Sequence, residues 1–300
     1  MSDYTSYYQK KYVLLELLKA TLPAFREIAL LPYKEKFIDE DGKERIRTIG
    51  VDGLGKGAVM RNINARNLTY LLKNFEVYHF FQKAYKIYFS LATFSEYPTF
   101  TFNFQLRKEQ QREWAKTLME NPERYLVAYD FAVDIDGKDL EKGLKQAKTV
   151  RDILDSFGIP YYLNSSGGKL GGFHFRIPYK FFEDKITPVD MIRATYIINR
   201  EFEEVENLPD CDTSIFDLRR IFKIPFSLVY GANEKWNVCL PMKGADLDNY
   251  SPDQIEVSNV LRNVPIKNRG IILNNADGEH DFKGFLEQYY YEPLASGTYD

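Results

Sequence analysis

Residues 125–136 read YLVAYDFAVDID, a near-continuous apolar run that ends in acidic residues. Tyr, Val, Phe and Ile dominate this run, which predicts a buried β-strand rather than a helix. Side chains alternate between the two faces of a strand, so Asp130, Asp134 and Asp136 share one face. Carboxylates crowded at a strand end repel one another unless a cation lies between them, and Mg²⁺ and Mn²⁺ favour oxygen ligands. The run therefore predicts a divalent-metal site; the alternative is a strand that continues into a solvated acidic loop, since Gly137-Lys138-Asp139 follows it.

The composition is that of an ordinary globular protein of 300 residues, 44% of them hydrophobic and 28% charged. The net charge of −3 gives no overall sign of nucleic-acid binding, although a local basic stripe can suffice. Cys211 and Cys239 are the only cysteines, so we expect no four-cysteine zinc site, iron–sulfur cluster or disulfide framework built by this chain. No apolar run reaches the length of a membrane span and the N-terminal residues lack a signal-peptide core. We therefore expect a protein of the cytoplasm or nucleoid with no membrane partner.

Strand and helix patterns that follow one another predict an α/β (α+β) fold. Asp139 can cap a helix that runs to Phe157, and residues 159–163 form the next strand. This crossover puts the acidic residues at the carboxyl end of its first strand, where α/β sheets bind ligands. Further predicted helices lie at 7–22, 65–83, 107–119, 187–206 and 282–291; further predicted strands lie at 25–31, 86–92 and 236–241, with a hairpin turn at Asp41-Gly42.

A glycine-rich loop, NSSGGKLGG at residues 164–172, precedes the predicted strand FHFRIP. Glycines let backbone N–H groups approach an anion closely, while Lys169, His174 and Arg176 supply positive charge or hydrogen-bond donors. The segment therefore has the outline of a phosphate cradle. A loose hairpin turn beside a partly exposed histidine is the alternative.

Residues 210–227, DCDTSIFDLRRIFKIPFS, combine acidic and basic residues in one short segment. Arg219, Arg220 and Lys223 are spaced to form a basic stripe beside Asp212. A salt-bridged surface is the alternative interpretation.

These three features, in this order, resemble the catalytic core of the archaeo-eukaryotic primase superfamily. That superfamily includes the primase small subunit, primase-polymerases and the polymerase domain of bacterial end-joining ligases. The resemblance extends from about residue 26 to 241, with weaker similarities at Arg26-Glu27 and Met60-Arg61-Asn62. It implies a catalytic core at 1–245, made of an N-terminal α/β unit at about 1–120 and an RNA-recognition-motif-like catalytic sheet at 121–245. A C-terminal extension at 246–300, helical at its end, follows.

The resemblance implies a DNA primase or primase-polymerase, a template-dependent nucleotidyltransferase that makes primers from nucleoside triphosphates with two Mg²⁺ or Mn²⁺ ions. By this resemblance, the catalytic and metal-binding acids are Asp134, Asp136 and Asp212. The residues that it implies for nucleotide and phosphate binding are Ser166, Lys169, His174, Arg219, Arg220 and Lys223. We expect Lys169, His174 and one of the two arginines to neutralise charge on the phosphates. Expected partners are a single-stranded DNA template and nucleoside triphosphates, with a large primase subunit or another replication protein as further candidates.

The chain departs from the family pattern at four points. Leu170-Gly171 lengthens the loop where relatives go from Lys or Arg directly to Gly, and Val229 replaces a histidine that is common in the family. The zinc knuckle of many primase small subunits is absent. Asp130 is an additional acid on the predicted metal-facing side, either a partner of the ligands or a ligand itself if the strand register is shifted.

Three other functions stay open from the sequence. A non-catalytic single-strand-binding module of RNA-recognition type has a similar sheet, but it has no use for converging carboxylates, which repel phosphate without a metal. An end-joining polymerase of the same superfamily and a metal-dependent nuclease would use the same acids. Aromatic residues at Tyr88-Phe89 are candidates for base stacking, whereas we expect Tyr289-Tyr290-Tyr291 to pack within a helix or form a surface patch.

Overall fold

The structure, a computed structural model, describes residues 7–8, 10–20, 26–31, 33–49, 60–63, 86–96, 98, 104–263 and 272–299. The predicted helix at 65–83 lies outside these residues, and of Met60–Ile63 only the backbone is described. The helices are α1 Lys11–Ala20, α2 Phe104–Glu120, α3 Pro122–Tyr125, α4 Leu140–Ser156, α5 Pro188–Glu204, α6 Val257–Asn263, α7 Phe282–Leu286 and α8 Glu292–Ala295, the last two joined by a π-helical stretch at Glu287–Tyr291.

The strands alternate with these helices along the chain. They are β1 Arg26–Leu31, β2 Tyr33–Ile38, β3 Glu44–Ile49, β4 Met60–Ile63, β5 Lys86–Phe94, β6 Leu126–Tyr129, β7 Phe131–Gly137, β8 Tyr161–Ser165, β9 Gly171–Ile177, β10 Ile221–Lys223, β11 Leu228–Tyr230, β12 Trp236–Val238, β13 Pro241–Met242 and β14 Leu273–Asn274. Short 3₁₀ turns lie at Tyr179–Phe181, Gly244–Asn249 and Pro252–Ile255. The predicted mixed α/β class is confirmed.

Two antiparallel five-stranded sheets form the body of the described chain. The first has the order β10-β5-β1-β4, with β6 also paired to β5. The second has the order β13-β8-β9-β7, with β14 also paired to β8. In the second sheet β7 and β8 both run antiparallel to the intervening β9, so β7 and β8 are parallel and α4 connects them. The resulting β7-α4-β8-β9-α5 order agrees with the RNA-recognition-type sheet that the resemblance implies.

The acidic run at residues 125–136 is two strands rather than the single strand predicted from the sequence. Its first half, β6, pairs with β5 in the first sheet, and its second half, β7, pairs with β9 in the second sheet. The chain changes sheets at Asp130, which is buried. The apolar pattern is continuous across this point because both halves are buried, so periodicity alone does not reveal the break.

The helix between β7 and β8 begins where the sequence predicts. The Asp139 side chain caps α4 by accepting a hydrogen bond from the Lys142 amide at 2.9 Å. Its first turns lie very close to the sheet, because a Cβ atom at Gly143 would come within 2.1 Å of the Gly171 carbonyl oxygen and one at Gly171 within 2.2 Å of the Asp139 carbonyl oxygen. Gly171, one of the two residues that lengthen the loop relative to the family, is therefore required for packing of the helix on the sheet.

The C-terminal residues pack against the second sheet. Phe285 makes edge-to-face contacts with Phe131 of β7 and with Phe157, and Tyr289 makes one with Phe202 of α5. Of the tyrosine run, Tyr289 and Tyr290 are buried and pack as predicted, whereas Tyr291 is exposed. The domain division drawn at residue 245 stays a prediction. Within the described ranges, no helix is long and apolar enough to cross a membrane.

Candidate active site

Acidic residues from two distant segments meet beside β7. The chain returns to this strand after α5, where the Asp212 amide donates to the Asp134 carbonyl and the Asp136 amide donates to the Asp210 carbonyl, both at 2.8 Å. The side chain of Gln146 on α4 holds this return, because it donates to the Asp210 carboxylate at 2.6 Å and accepts from the Asp210 amide at 2.9 Å. Asp134, Asp136 and Asp212 are therefore neighbours in space.

Asp134 is the most deeply placed of the three acids. Burial, reinforced by the negative charges of Asp136 and Asp212, raises the pKa of Asp134 to about 7 despite the opposing effect of Lys223. Its Oδ1 atom is buried without a hydrogen-bond partner, and His174 Nε2 lies 3.5 Å from it. The Asp134 carboxylate thus has one oxygen without a hydrogen bond, and the neighbouring acids disfavour its ionised form.

The other two acids each contact a basic side chain. Lys169 Nζ lies 2.5 Å from Asp136 Oδ2 and also donates to the Asp136 carbonyl at 3.2 Å. Arg220 Nη2 donates to Asp212 Oδ2 at 2.5 Å, while the amide and hydroxyl of Ser214 donate to Asp212 Oδ1 at 2.9 and 2.6 Å. Burial alone would raise the pKa of Asp212, but the hydrogen bonds from Ser214 and the charge of Arg220 lower it below its ordinary value.

His174 and Lys223 complete the cluster from the second and first sheets. His174 lies directly opposite Asp134 in the β7–β9 pair, and its ring packs on Phe222 of β10 with centroids 4.5 Å apart. Burial and the positive charges of Lys223 and Arg220 hold the pKa of His174 well below its ordinary value. His174 is therefore neutral near pH 7 and can donate a hydrogen bond to a phosphate but not a positive charge.

Lys223 and Ser166 contact each other beneath the glycine-rich loop. The buried Nζ of Lys223 donates to the Ser166 carbonyl at 2.6 Å. Ser166 is buried as well, and its amide donates to the Gly172 carbonyl at 2.8 Å across the loop. Both residues thus belong to the loop that the sequence predicts to hold phosphate.

The structure does not bring Arg219 to the acids. Its Nη2 atom lies 4.0 Å from Oε2 of the buried Glu27, and the side chain lines a groove of about 670 Å³ with Arg112, Lys116 and Met119 of α2. Arg219 and Arg220, although adjacent in sequence, contact different acids, and of the two it is Arg220 that binds Asp212.

Asp130 also lies outside the acid cluster. Its carboxylate accepts hydrogen bonds from Arg26 Nη2 at 2.8 Å, from Arg176 Nη1 at 2.5 Å and from the Tyr179 amide at 3.0 Å. Both guanidinium groups in turn lie over the ring of Phe89, at 5.4 and 5.2 Å. Asp130 and Phe89 are thus buried structural residues, and neither the ligand role of Asp130 nor stacking of a base on Phe89 fits this arrangement.

The carboxylate oxygens of the three acids are ligands that suit a hard divalent cation, although they do not converge on a single point. Among the described residues, no three His, Cys, Asp or Glu side chains are arranged as a formed metal site. Two of the three carboxylates instead contact basic side chains, Asp136 with Lys169 and Asp212 with Arg220. Asp134, with a buried and unpaired oxygen, lacks the positive partner that Mg²⁺ or Mn²⁺ would supply.

Sequence reasoning missed three residues at this site. Gln146 has a buried side-chain amide on the face of α4 that otherwise carries apolar residues. Asn237 has a buried side-chain amide inside the apolar run WNVCLP. Tyr88, considered only for base stacking, is half-buried close to the acids; burial is the main cause of its raised pKa, and the charges of Asp134 and Asp136 add to it. Polar residues inside apolar runs are the signal that could have identified the two amides.

The chain is similar to known proteins in structure rather than in sequence. No protein-family model and no curated protein matches the chain. Among solved structures, the chain is similar to the polymerase domain of Ligase D from Mycobacterium tuberculosis in complex with DNA, with a TM-score of 0.48 and 14% sequence identity over 87% of this chain and 88% of that chain. A similarity of this size does not by itself assign a family or an activity.

Proposed function

We propose that this chain is a DNA primase or primase-polymerase, a nucleotidyltransferase that adds nucleotides along a single-stranded template. The observation that carries the proposal is the backbone pairing of Asp212 with Asp134, which unites two acidic segments far apart in sequence. Around these acids lie Lys169, Arg220, Lys223 and a neutral His174. Three carboxylates among so many donors suit a site that receives a polyphosphate together with divalent cations.

The proposed roles follow from the contacts of each side chain. Asp134, Asp136 and Asp212 would hold two Mg²⁺ or Mn²⁺ ions, which when bound activate a 3′-hydroxyl and stabilise the departing pyrophosphate. Lys169 and Arg220, now paired with carboxylates, would exchange those partners for phosphate oxygens when a nucleotide enters. His174 would donate a neutral hydrogen bond, and Lys223 would support the phosphate-binding loop from below.

The groove beside Arg219 suits the backbone of a nucleic-acid strand. Arg112, Lys116 and Arg219 line it together with one acid, Glu120, and the exposed side chain of Met119 adds an apolar surface. Basic residues along a groove bind phosphates without regard to sequence. Since Arg219 is adjacent to Arg220, a strand in this groove would lie within a few nucleotides of the acids. We therefore assign Arg219 to the strand rather than to the incoming nucleotide.

A primer-synthesis assay tests the proposal. Purified protein is incubated with an unprimed single-stranded DNA of defined sequence and labelled ribo- or deoxynucleoside triphosphates, with Mg²⁺, with Mn²⁺ or with a chelator. The expected result is a labelled product complementary to the template that forms only with a divalent cation. A parallel reaction with an annealed primer separates initiation from extension.

Two results would reject the proposal. One is the absence of product from both primed and unprimed templates with either metal. The other is metal-dependent shortening of the template, which would identify a nuclease that uses the same acids.

A further inference from the structure

Three consecutive carbonyl groups of the glycine-rich loop accept hydrogen bonds from one neighbouring part of the fold. The Ser166 carbonyl accepts from Lys223 Nζ at 2.6 Å, the Gly167 carbonyl accepts from Asn237 Nδ2 at 3.0 Å, and the Gly168 carbonyl accepts from the Ala232 amide at 2.8 Å. Three consecutive peptide groups are therefore oriented by donors from the β10 strand and from the β11–β12 hairpin.

This orientation fixes where the loop N–H groups point. In a trans peptide the C=O and N–H bonds point in opposite directions, so the amides of Gly167, Gly168 and Lys169 face away from the hairpin. Gly167 adopts a left-handed conformation with φ of 69°, and residues 168–170 are partly exposed. Successive amides around a left-handed residue form a concavity that binds anions. The loop thus presents a row of backbone donors beside Lys169.

Asn237 is itself held in place. It is buried, and its Nδ2 group also donates to Asn233 Oδ1 at 2.9 Å, within the same hairpin. Val229 packs beneath the loop, since a Cβ atom at Gly167 would come within 2.6 Å of Val229 Cγ1. The hairpin therefore provides a rigid support against which the loop rests.

We propose that Asn237 is a positioning residue for a polyphosphate site, in which the backbone amides of Gly167, Gly168 and Lys169 bind phosphate oxygens. The inference rests on the proposed function for the identity of its ligand, a nucleoside triphosphate, and it adds the hairpin that shapes the site. Asn237 acts through the Gly167 carbonyl and does not touch the phosphate. The Val229 position, where relatives carry a histidine, supports the loop by packing.

Binding of inorganic tripolyphosphate tests this assignment without any need for nucleotide incorporation. Calorimetric titration in the presence of Mg²⁺ compares the full-length protein with Asn237→Ala, with Asn237→Asp, which keeps the size but replaces the donor, and with Lys235→Ala. The last variant removes an exposed residue of the same hairpin whose partner is Glu256, away from the loop. We expect both Asn237 variants to bind roughly tenfold more weakly and Lys235→Ala to bind like the wild type.

A second readout separates positioning from general damage to the fold. In the wild type, tripolyphosphate should shift the ¹⁵N–¹H resonances of Gly167, Gly168 and Lys169, and in Asn237→Asp these shifts should shrink while resonances of α5 stay unchanged. In the incorporation assay, the KM for nucleotide should rise roughly tenfold with kcat within about twofold.

The inference is overturned if folded Asn237 variants bind tripolyphosphate as tightly as the wild type, or if the wild type shows no shift of the three amides. Failure of the proposed function is a different result. A wild type that binds tripolyphosphate through these amides but incorporates no nucleotide would reject the polymerase and leave the polyphosphate site in place.

Discussion

Among single residues, Asp134 stands out because its ionised carboxylate is buried and unfavourable in the metal-free protein. Asp134 is buried beside Asp136 and Asp212, one of its oxygens has no donor, and its pKa is raised to about 7 from an ordinary 3.8. Because the folded protein holds the proton more tightly than the unfolded chain, Asp134 stabilises the fold below about pH 4. That contribution is lost as pH rises through about 7.

Asp134→Asn should therefore stabilise the protein at alkaline pH. In metal-free buffer, the free energy of unfolding of the variant relative to the wild type should increase by on the order of 2–4 kcal/mol between pH 5 and pH 8.5, because asparagine cannot ionise. Urea denaturation at the two pH values measures this difference. Asp152→Asn, the same substitution at an exposed position of α4 outside the acid cluster, is the control. Parallel pH curves for Asp134→Asn and the wild type would contradict the assigned environment.

The family resemblance grouped the acids with Lys169 and His174, and the structure places them close together, but the sequence did not define the environment of each side chain. The neutral state of His174 depends on Phe222, Lys223 and Arg220, which lie on segments distant from it in sequence. The sequence also could not show which of Arg219 and Arg220 contacts the acids. The direction of a side chain in an irregular segment depends on the fold.

Among the elements, β6 and β7 are separated at Asp130, which lies in a buried cluster of ion pairs. Asp130 joins Arg26 of β1 in the first sheet to Arg176 of β9 in the second, and all three side chains are buried. Burial alone would raise the pKa of Asp130, but the charges of Arg26 and Arg176 and the Tyr179 amide lower it below its ordinary value. The carboxylate thus stays ionised and ties the two sheets together.

Asp130→Asn should be strongly destabilising. Removing this charge leaves two buried guanidinium groups without a negative partner, which typically costs about 3–5 kcal/mol of unfolding free energy. Chemical denaturation at pH 7 measures the loss. Asp248→Asn removes an acid that also contacts two basic residues, Lys148 and Arg151, but at the surface, and should destabilise the protein far less. Equal effects of the two substitutions would contradict the structural role of Asp130.

Local signals predicted most element positions. The cap at Asp139, the Thr187-Pro188 start of α5 and the hairpin turn at Asp41-Gly42 all appear in the structure, because each depends on neighbours in sequence. The division of residues 125–136 between two sheets could not be predicted locally, since it depends on Arg26 and Arg176. The close contact of α4 with Gly171 likewise becomes evident only from packing.

At the scale of the whole molecule, the site forms where the two sheets meet. The second sheet contributes Asp134, Asp136 and His174, and the first contributes Tyr88 and Lys223, which are paired across β5 and β10. The order of the three sequence segments indicated this convergence through a family resemblance. Composition could not, because the net charge of −3 does not show that basic side chains gather around the acids.

The proposed function requires Asp134 and Asp212 to bind the same metal ions, and Mn²⁺ titration monitored by electron paramagnetic resonance tests this requirement. Wild type, Asp134→Asn, Asp212→Asn and the double variant are compared, with Asp155→Asn near the opposite end of α4 as the control. We predict that each single variant weakens Mn²⁺ binding at least roughly tenfold and that the control binds like the wild type. In the double variant, the loss of binding free energy should be smaller than the sum of the losses in the two single variants. Wild-type affinity in Asp212→Asn, or strictly additive losses in the double variant, would contradict a shared site.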